Sequence, residues 1–142
     1  MATRRKERPR GVVDTAVLVA GVAGFRATRA RDLTPSARLL YDWVRRNTFT
    51  WLISEDILDE YKRVLARLGV RRNLIGAIVN LLREEAELVD VRHARHLSPD
   101  PGDDPVCDCA EEGGADFIFT LNPKDFPQDR LSSQVVVPSR DF

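Results

Sequence analysis

Short apolar runs alternate with amphipathic stretches along the chain, and this alternation predicts strands separated by helices. Strands are predicted at residues 49–53, 88–91, 117–120 and 134–137, and within a first run, 11–20, where the strand ends near Asp14 and leads into a helical or irregular stretch. Helices are predicted at residues 34–46, 54–68, 73–87 and 103–113. Uniformly apolar strands spaced by helices are typical of a parallel sheet covered on both faces, so the predicted fold class is α/β.

Three of these helices have an apolar face that is expected to pack inward. The expected inward residues are Ala37, Leu40, Tyr41 and Val44 in the first, Ile57, Leu58, Tyr61, Val64, Leu65 and Leu68 in the second, and Leu74, Ile78, Leu81 and Leu82 in the third. These faces are predicted from helical period alone.

Asp14 is the one charged residue of the apolar stretch GVVDTAVLVAG, residues 11–21. Burying a lone carboxylate is unfavourable unless its charge is compensated. In open parallel sheets, ligands bind beyond the carboxyl ends of the strands, which would place Asp14 on the rim of a cleft. The alternative is an aspartate whose side chain caps the following turn.

Further acids are predicted near the same rim, and each also has a purely structural interpretation. Glu60 lies at the edge of the apolar stripe of its helix, where it could pair with Arg63 at i,i+3. Asp104 lies in the first turn of the last predicted helix, where it suits the helix dipole, with Asp103 as the N-cap. Asp108 shares a helix face with Asp104, and the periodicity favours solvent exposure for Asp108 in particular.

Charge is unevenly distributed along a chain whose formal net charge is zero. Zero net charge argues against a strongly basic nucleic-acid binder. Residues 1–10 have a local charge of +4, whereas residues 100–116 hold seven acids and no base. Seven like charges repel one another unless they are solvated or bound to cations, so this segment is either a solvated loop or part of a cation site.

Length and composition indicate one domain. A chain of 142 residues is long enough for a single core, and no apolar run approaches the roughly 20 residues that span a membrane. No signal peptide is expected, because the apolar run after the basic N-terminus contains Asp14 and ends by Arg26. Cys107 and Cys109 are too close for an ordinary disulfide framework, so a cytoplasmic location is expected.

Three blocks of the chain together resemble the PIN-domain ribonucleases, and in particular the PIN-family toxins of prokaryotic toxin–antitoxin systems. The blocks are GVVDTAVLVAG, SEDILDEYKRVLAR and DPGDDPVCDCAEEGGADFIFTLNPKDF. The resemblance covers about residues 12–142. It implies a three-layer α/β/α fold with a central, mainly parallel sheet of about five strands at 11–142. The basic residues 1–10 are expected to form a flexible segment before this domain.

The resemblance also implies a site and an activity. Its acids fall on Asp14, Glu60 and Asp104 as catalytic and metal-binding residues, with Asn122 at a fourth position. Supporting or alternative roles fall on Asp116, Thr15 and Asp108. The implied function is endonucleolytic hydrolysis of RNA phosphodiester bonds with Mg²⁺ or Mn²⁺. The implied partners are an RNA substrate, a cognate antitoxin and a second copy of the chain, with no membrane.

One position departs from the family pattern. The family usually reads Asp-Thr-Asn where this chain reads Asp14-Thr15-Ala16. The missing amide leaves open an alternative function, that of a catalytically weak or inactive PIN-like domain that binds RNA or a protein partner. A receiver-like phosphoacceptor domain ranks last, because the chain lacks a paired acid before the Asp14 strand and a lysine after a late strand.

Overall fold

The computed structural model describes residues 8–25 and 32–139. Residues 1–7 of the predicted basic segment and the last three residues of the chain lie outside this description. The strands are β1 (Arg10–Val13), β2 (Thr50–Ile53), β3 (Glu87–Leu88), β4 (Phe117–Phe119) and β5 (Gln134–Val136). The α-helices are α1 (Thr15–Gly24), α2 (Pro35–Arg46), α3 (Glu55–Arg67), α4 (Arg72–Glu85) and α5 (Asp104–Gly113). Single 3₁₀ turns occupy Pro101–Asp103, Pro123–Asp125 and Gln128–Arg130.

The five strands form one parallel sheet in the order β3-β2-β1-β4-β5, flanked by helices as a three-layer α/β/α fold. The predicted fold class is confirmed. Strand β1 is central, and Val12 and Val13 are completely buried. Because β2 and β4 lie on opposite sides of β1, the strand order reverses there, and such a reversal opens a crevice at the carboxyl edge of a parallel sheet.

Local signals placed the helix ends well. The Thr34 hydroxyl accepts a hydrogen bond from the Ala37 amide at the start of α2, and Ser54 accepts one from the Ile57 amide at the start of α3. Gly114 ends α5 in the left-handed conformation, with φ of 65°. These caps act on neighbours in sequence, so the sequence alone predicts them.

The inward faces of the helices differ from the prediction in several positions. Val44, Leu68, Leu74 and Leu81 were expected to be buried and are 53%, 60%, 46% and 38% exposed. Helix α4 buries Leu82 as predicted, together with Ile75 and Val79, which were not predicted. Helix α2 buries the predicted Ala37 and Leu40 together with Leu39 and Trp43. The predicted end of the first strand near Asp14 is confirmed, because β1 ends at Val13 and α1 begins at Thr15. A helix that is apolar on several sides does not by itself reveal which side faces the sheet.

No helix within the described ranges is long and apolar enough to cross a membrane.

Candidate active site

Asp14 directly follows β1 and points its carboxylate toward the end of β4. Its amide donates a hydrogen bond to the Phe119 carbonyl at 2.9 Å, and its Oδ2 accepts one from the Thr120 hydroxyl at 2.8 Å. Asp14 is the N-cap residue of α1, but its side chain makes no capping hydrogen bond. The capping hydrogen bond of the alternative interpretation is therefore absent, although the adjacent Thr15 amide also lowers the pKa of the Asp14 carboxylate.

The carboxylate of Asp14 is buried among other acids. Burial raises its pKa, the Thr120 hydrogen bond opposes that rise, and the nearby charges of Glu60 and Asp125 add to it. The side chain is only 6% exposed, and among the described residues no basic side chain forms an ion pair with it. The structure thus leaves the negative charge of Asp14 without a protein cation.

Helix α3 brings Glu60 to the same place. The Tyr61 hydroxyl, which is completely buried, donates a hydrogen bond to the Val13 carbonyl and so attaches α3 to the end of β1. The Thr15 hydroxyl donates to Glu60 Oε2. The predicted i,i+3 partner, Arg63, also approaches Glu60 Oε1, at 3.7 Å. Glu60 therefore takes part both in the surface pair and in the group of acids around Asp14.

Asp103 is the acid near the start of α5 whose pKa is affected by the charges of this group. It closes the 3₁₀ turn before α5, where it is the N-cap residue without a side-chain capping bond. Its pKa is raised to about 7, mainly by burial and then by the charges of Asp14, Asp100, Asp125 and Glu60. We name Asp14, Glu60, Asp103 and Asp125 the acid cluster. The sequence interpretation treated Asp103 only as an N-cap and left Asp125 unassigned.

Asp104, the acid predicted for this role, contacts the loop before α5 instead. Its Oδ1 accepts a hydrogen bond from the Ser98 amide at 3.2 Å, and its Oδ2 lies 3.6 Å from His96 Nδ1. One position along a helix turns a side chain by about 100°, which is enough to direct two adjacent acids to different partners.

Asp108 has a structural role that the sequence did not predict. It was expected to be exposed and is 6% exposed, because its Oδ1 accepts a hydrogen bond from the Arg95 amide at 3.0 Å. Glu112, one turn further along α5, accepts from Arg95 Nη2 at 3.4 Å and from the Arg92 amide at 3.5 Å. The acids at positions 104, 108 and 112 thus bind successive parts of the preceding loop along one face of α5.

The other acids of the segment 100–116 also have partners in the fold. Asp100 accepts from the Gly102 amide at 2.9 Å, and Glu111 accepts from the Ser132 amide at 2.7 Å. Asp116 accepts from the Arg10 amide at 2.8 Å. Six of the seven carboxylates therefore accept hydrogen bonds from backbone amides, whereas the described part of the chain provides no hydrogen bond or ion pair for the Asp103 carboxylate. The segment is neither a freely solvated loop nor a seven-acid cation site.

Two further predicted residues lie away from the acid cluster or at its margin. Asp116 precedes β4 and sits beside Arg10, at the start of β1, whereas Asp14 follows the end of β1. Four residues of strand rise separate the two positions by about 13 Å, so Asp116 cannot serve as an alternative ligand there. Asn122 is exposed, and its backbone amide donates a hydrogen bond to Thr120 Oγ1 at 3.0 Å. The negative charge of Asp125, three residues later, contributes to the raised pKa of both Asp14 and Asp103.

The acid cluster offers the oxygen ligands that suit Mg²⁺ or Mn²⁺, but its side chains are not arranged to coordinate such an ion. Carboxylate oxygens are the ligands that these hard cations prefer. Within residues 8–25 and 32–139, no three acidic, His or Cys side chains are arranged closely enough to hold a metal ion. Binding one would therefore require side-chain movement in a cluster whose members repel one another.

Comparisons with known proteins agree with this architecture. The sequence model of the PIN domain matches residues 10–124. The fold is similar to the crystal structure of VapBC2 from Rickettsia felis bound to a DNA fragment from their promoter, with a TM-score of 0.59 and 12% identity over 92% of this chain and 99% of that chain. The sequence matches none of the curated proteins with which it was compared. Because the PIN match spans most of the chain, this chain belongs to the PIN-domain family.

Proposed function

We propose that this chain is a metal-dependent endoribonuclease that hydrolyses RNA phosphodiester bonds and acts in the cytoplasm as the toxin of a toxin–antitoxin pair. PIN domains are generally nucleases. The observation that carries the proposal is the acid cluster, which lies at the carboxyl edge of β1 and β4 beside the reversal of strand order. Asp14 is buried beside other acids, and the described residues provide no basic side chain as its ion-pair partner; such an arrangement is unfavourable for stability, which is typical of a functional site.

Within this proposal, the metal-binding and catalytic residues are Asp14, Glu60 and Asp103, with Asp125 at the fourth position. This assignment keeps two of the three acids that the sequence predicted and replaces Asp104 by its neighbour. It is supported by the charges that raise the pKa of Asp103, which include those of Asp14 and Glu60. It also accounts for Asp104, whose carboxylate is engaged by the Ser98 amide.

The residues around the cluster suit hydrolysis by water. Mg²⁺ or Mn²⁺, when bound, supplies an activated water and neutralises charge on the scissile phosphate. Thr120 holds Asp14, and Thr15 holds Glu60, so the two carboxylates are oriented before substrate arrives. The cysteines do not compete as nucleophiles, because burial raises the pKa of Cys107 and of Cys109 to about 12.

An apolar groove supports an antitoxin partner. It lies between α1, α2 and α4, encloses about 240 Å³ and includes Trp43 and Val44 on one side and Leu74 and Leu81 on the other. The structural neighbour from Rickettsia felis is a toxin–antitoxin complex. We propose that an apolar segment of a cognate antitoxin occupies this groove, because exposed leucines and valines flank it and are unfavourable in water.

The second candidate function is a catalytically weak PIN domain that binds RNA or protein without cleavage. It is favoured by Ala16, which lies in the first turn of α1 beside Asp14 and Thr15 and cannot provide the amide that the family has there. The missing amide would lower metal affinity more in a cluster that must rearrange before it binds a cation than in a preformed site.

The two candidates are separated by incubating purified protein with RNA in Mg²⁺ or Mn²⁺ and, in parallel, in EDTA. The nuclease proposal expects cleavage that EDTA prevents and that Asp14→Asn abolishes. Asp103→Asn should also abolish it, whereas Asp104→Asn, the matched control at the adjacent position, should retain cleavage within about tenfold of wild type. RNA that remains intact with both metals but is still bound would support the second candidate.

A further inference from the structure

The sheet has two edge strands, β3 and β5, which differ in how they are protected from pairing with another chain. An edge strand presents unpaired N–H and C=O groups to any extended peptide. Strand β3 has only two residues, and its Glu87 forms an ion pair with Arg10. Strand β5 and the residue after it read QVVV and carry no charge that would discourage a second strand. Any protection of β5 therefore comes from another part of the fold.

The backbone of β5 presents alternate residues to the open edge of the sheet. The Gln134 amide donates a hydrogen bond toward β4, and the Val136 carbonyl accepts one from the same side. Successive residues of a strand direct their N–H and C=O groups to opposite sides. The N–H and C=O groups of Ser133, Val135 and Val137 are therefore directed away from β4, toward the open edge.

The side chain of Gln128 occupies the place of a neighbouring strand at this edge. Its Nε2 donates a hydrogen bond to the Ser133 carbonyl at 2.7 Å, and its Oε1 accepts one from the Val135 amide at 2.7 Å. A glutamine side chain offers N–H donors and a C=O acceptor, as a peptide group does. Gln128 therefore pairs with β5 in the way that one residue of a sixth strand would.

The turn that carries Gln128 is anchored on both sides. Gln128 begins a single 3₁₀ turn that lies between the buried side chains of Phe126 and Leu131. After the turn, Ser132 donates its amide and its hydroxyl to the Glu111 carboxylate of α5, at 2.7 and 3.1 Å. The fold itself therefore places the Gln128 side chain against β5.

We propose that the β5 edge is a pairing surface for a second copy of this chain and that Gln128 keeps it closed. Two copies related by a two-fold axis can place their β5 edges antiparallel, so that each offers the same outward N–H and C=O groups to the other. Val137, which is 45% exposed beside this edge, adds apolar surface that pairing would cover. Pairing is prevented while Gln128 holds the Ser133 carbonyl and the Val135 amide. This inference goes beyond the proposed function and does not depend on it.

The test measures self-association of the whole chain by sedimentation velocity over a range of micromolar concentrations. Gln128→Ala opens the edge. The matched control is Gln134→Ala, which removes the same type of side chain from an exposed position of β5 whose backbone bonds to β4. The double variant Gln128→Ala/Val137→Lys adds a charge to the opened edge, because lysine on an edge strand discourages pairing.

We expect Gln128→Ala to reach a given weight-average mass at about tenfold lower concentration than wild type, because two hydrogen bonds no longer have to open before pairing. Gln134→Ala should match wild type, and the double variant should return to the wild-type level. Equal association of wild type and Gln128→Ala would overturn the proposal. An increase that Gln134→Ala shares, or that Val137→Lys does not reverse, would come from another cause and would overturn it too.

Amide hydrogen exchange separates edge pairing from partial unfolding. In dilute Gln128→Ala, the Val135 amide should exchange about tenfold faster than in wild type, whereas the Gln134 amide, which donates to the Asp116 carbonyl, should exchange as before. Raising the concentration of Gln128→Ala should restore the protection of Val135. A Val135 amide that is unprotected in wild type, or equal acceleration of both amides in the variant, would contradict the assigned role of Gln128.

Discussion

Asp103 and Asp104 are adjacent acids for which the structure implies opposite effects on stability. In the metal-free protein, folding raises the pKa of Asp103 from 3.8 to about 7. Between these pH values the folded state retains a proton that the unfolded state releases, so stability falls as the pH rises from about 4 to about 7. Ionised Asp103 thus destabilises the metal-free protein at pH 8, and Asp103→Asn removes this penalty.

The size of the effect follows from the same shift. Three pKa units correspond to about 4 kcal/mol, and the partial exposure of Asp103 reduces this by half or more through solvent screening, to about 1–2 kcal/mol. For a chain of this length that is a rise in Tm of roughly 4–8 °C at pH 8, and close to zero at pH 4. Asp104→Asn instead weakens the hydrogen bond from Ser98 and should lower the free energy of unfolding by about 0.5–1.5 kcal/mol.

Thermal melts of wild type and both variants, at pH 4 and pH 8 with and without Mg²⁺ or Mn²⁺, measure these differences. A cation at 100 times its Kd should stabilise wild type and Asp104→Asn by about 2.7 kcal/mol, and Asp103→Asn much less. The reasoning is refuted if Asp103→Asn is destabilised at pH 8 and keeps the full metal effect. If Asp104→Asn then loses that effect, the third ligand is Asp104, as the sequence predicted.

Three further predictions concern the support of the site and the assembly. Tyr61→Phe should lower the free energy of unfolding by about 1–3 kcal/mol, because the Val13 carbonyl loses its buried donor. The control variant Tyr41→Phe should change the free energy of unfolding little. Equal urea midpoints for the two variants would contradict this prediction. Ala16→Asn should raise metal affinity or cleavage without changing the circular dichroism spectrum, and unchanged metal titrations would show that the departure from the family pattern is harmless. Leu74 and Leu81, the exposed leucines of α4, line the groove proposed for the antitoxin, so a homodimer through α4 is expected of the chain without antitoxin. Light scattering of the isolated chain that detects only a 16.1 kDa species at micromolar concentration would count against it.

The acid-rich segment 100–116 shows how far charge patterns in the sequence can be interpreted. Seven acids within 17 residues indicated either a solvated loop or a cation site. The main role of six of these acids is instead to accept hydrogen bonds from the fold. Backbone amides from the preceding loop, from β1 and from the segment before β5 donate hydrogen bonds to these carboxylates. Those amides come from positions up to 106 residues away in sequence, so no local pattern reveals them.

The sequence by itself determined the elements, most of their ends and the placement of Asp14 at the end of a buried strand. The elements and their ends depend on the apolar period and on caps such as Thr34 and Ser54, which involve residues close together in sequence. The placement of Asp14 follows from the same apolar period together with the family resemblance. Only the tertiary structure decided that Asp104 binds the Ser98 amide while the charge of Asp14 helps to raise the pKa of Asp103, that Asp108 is buried and that α4 turns Leu74 outward. Rules that use only neighbouring residues cannot distinguish two adjacent acids. Their roles differ because the folded loop donates a hydrogen bond to Asp104, whereas Asp103 is left near other negative charges.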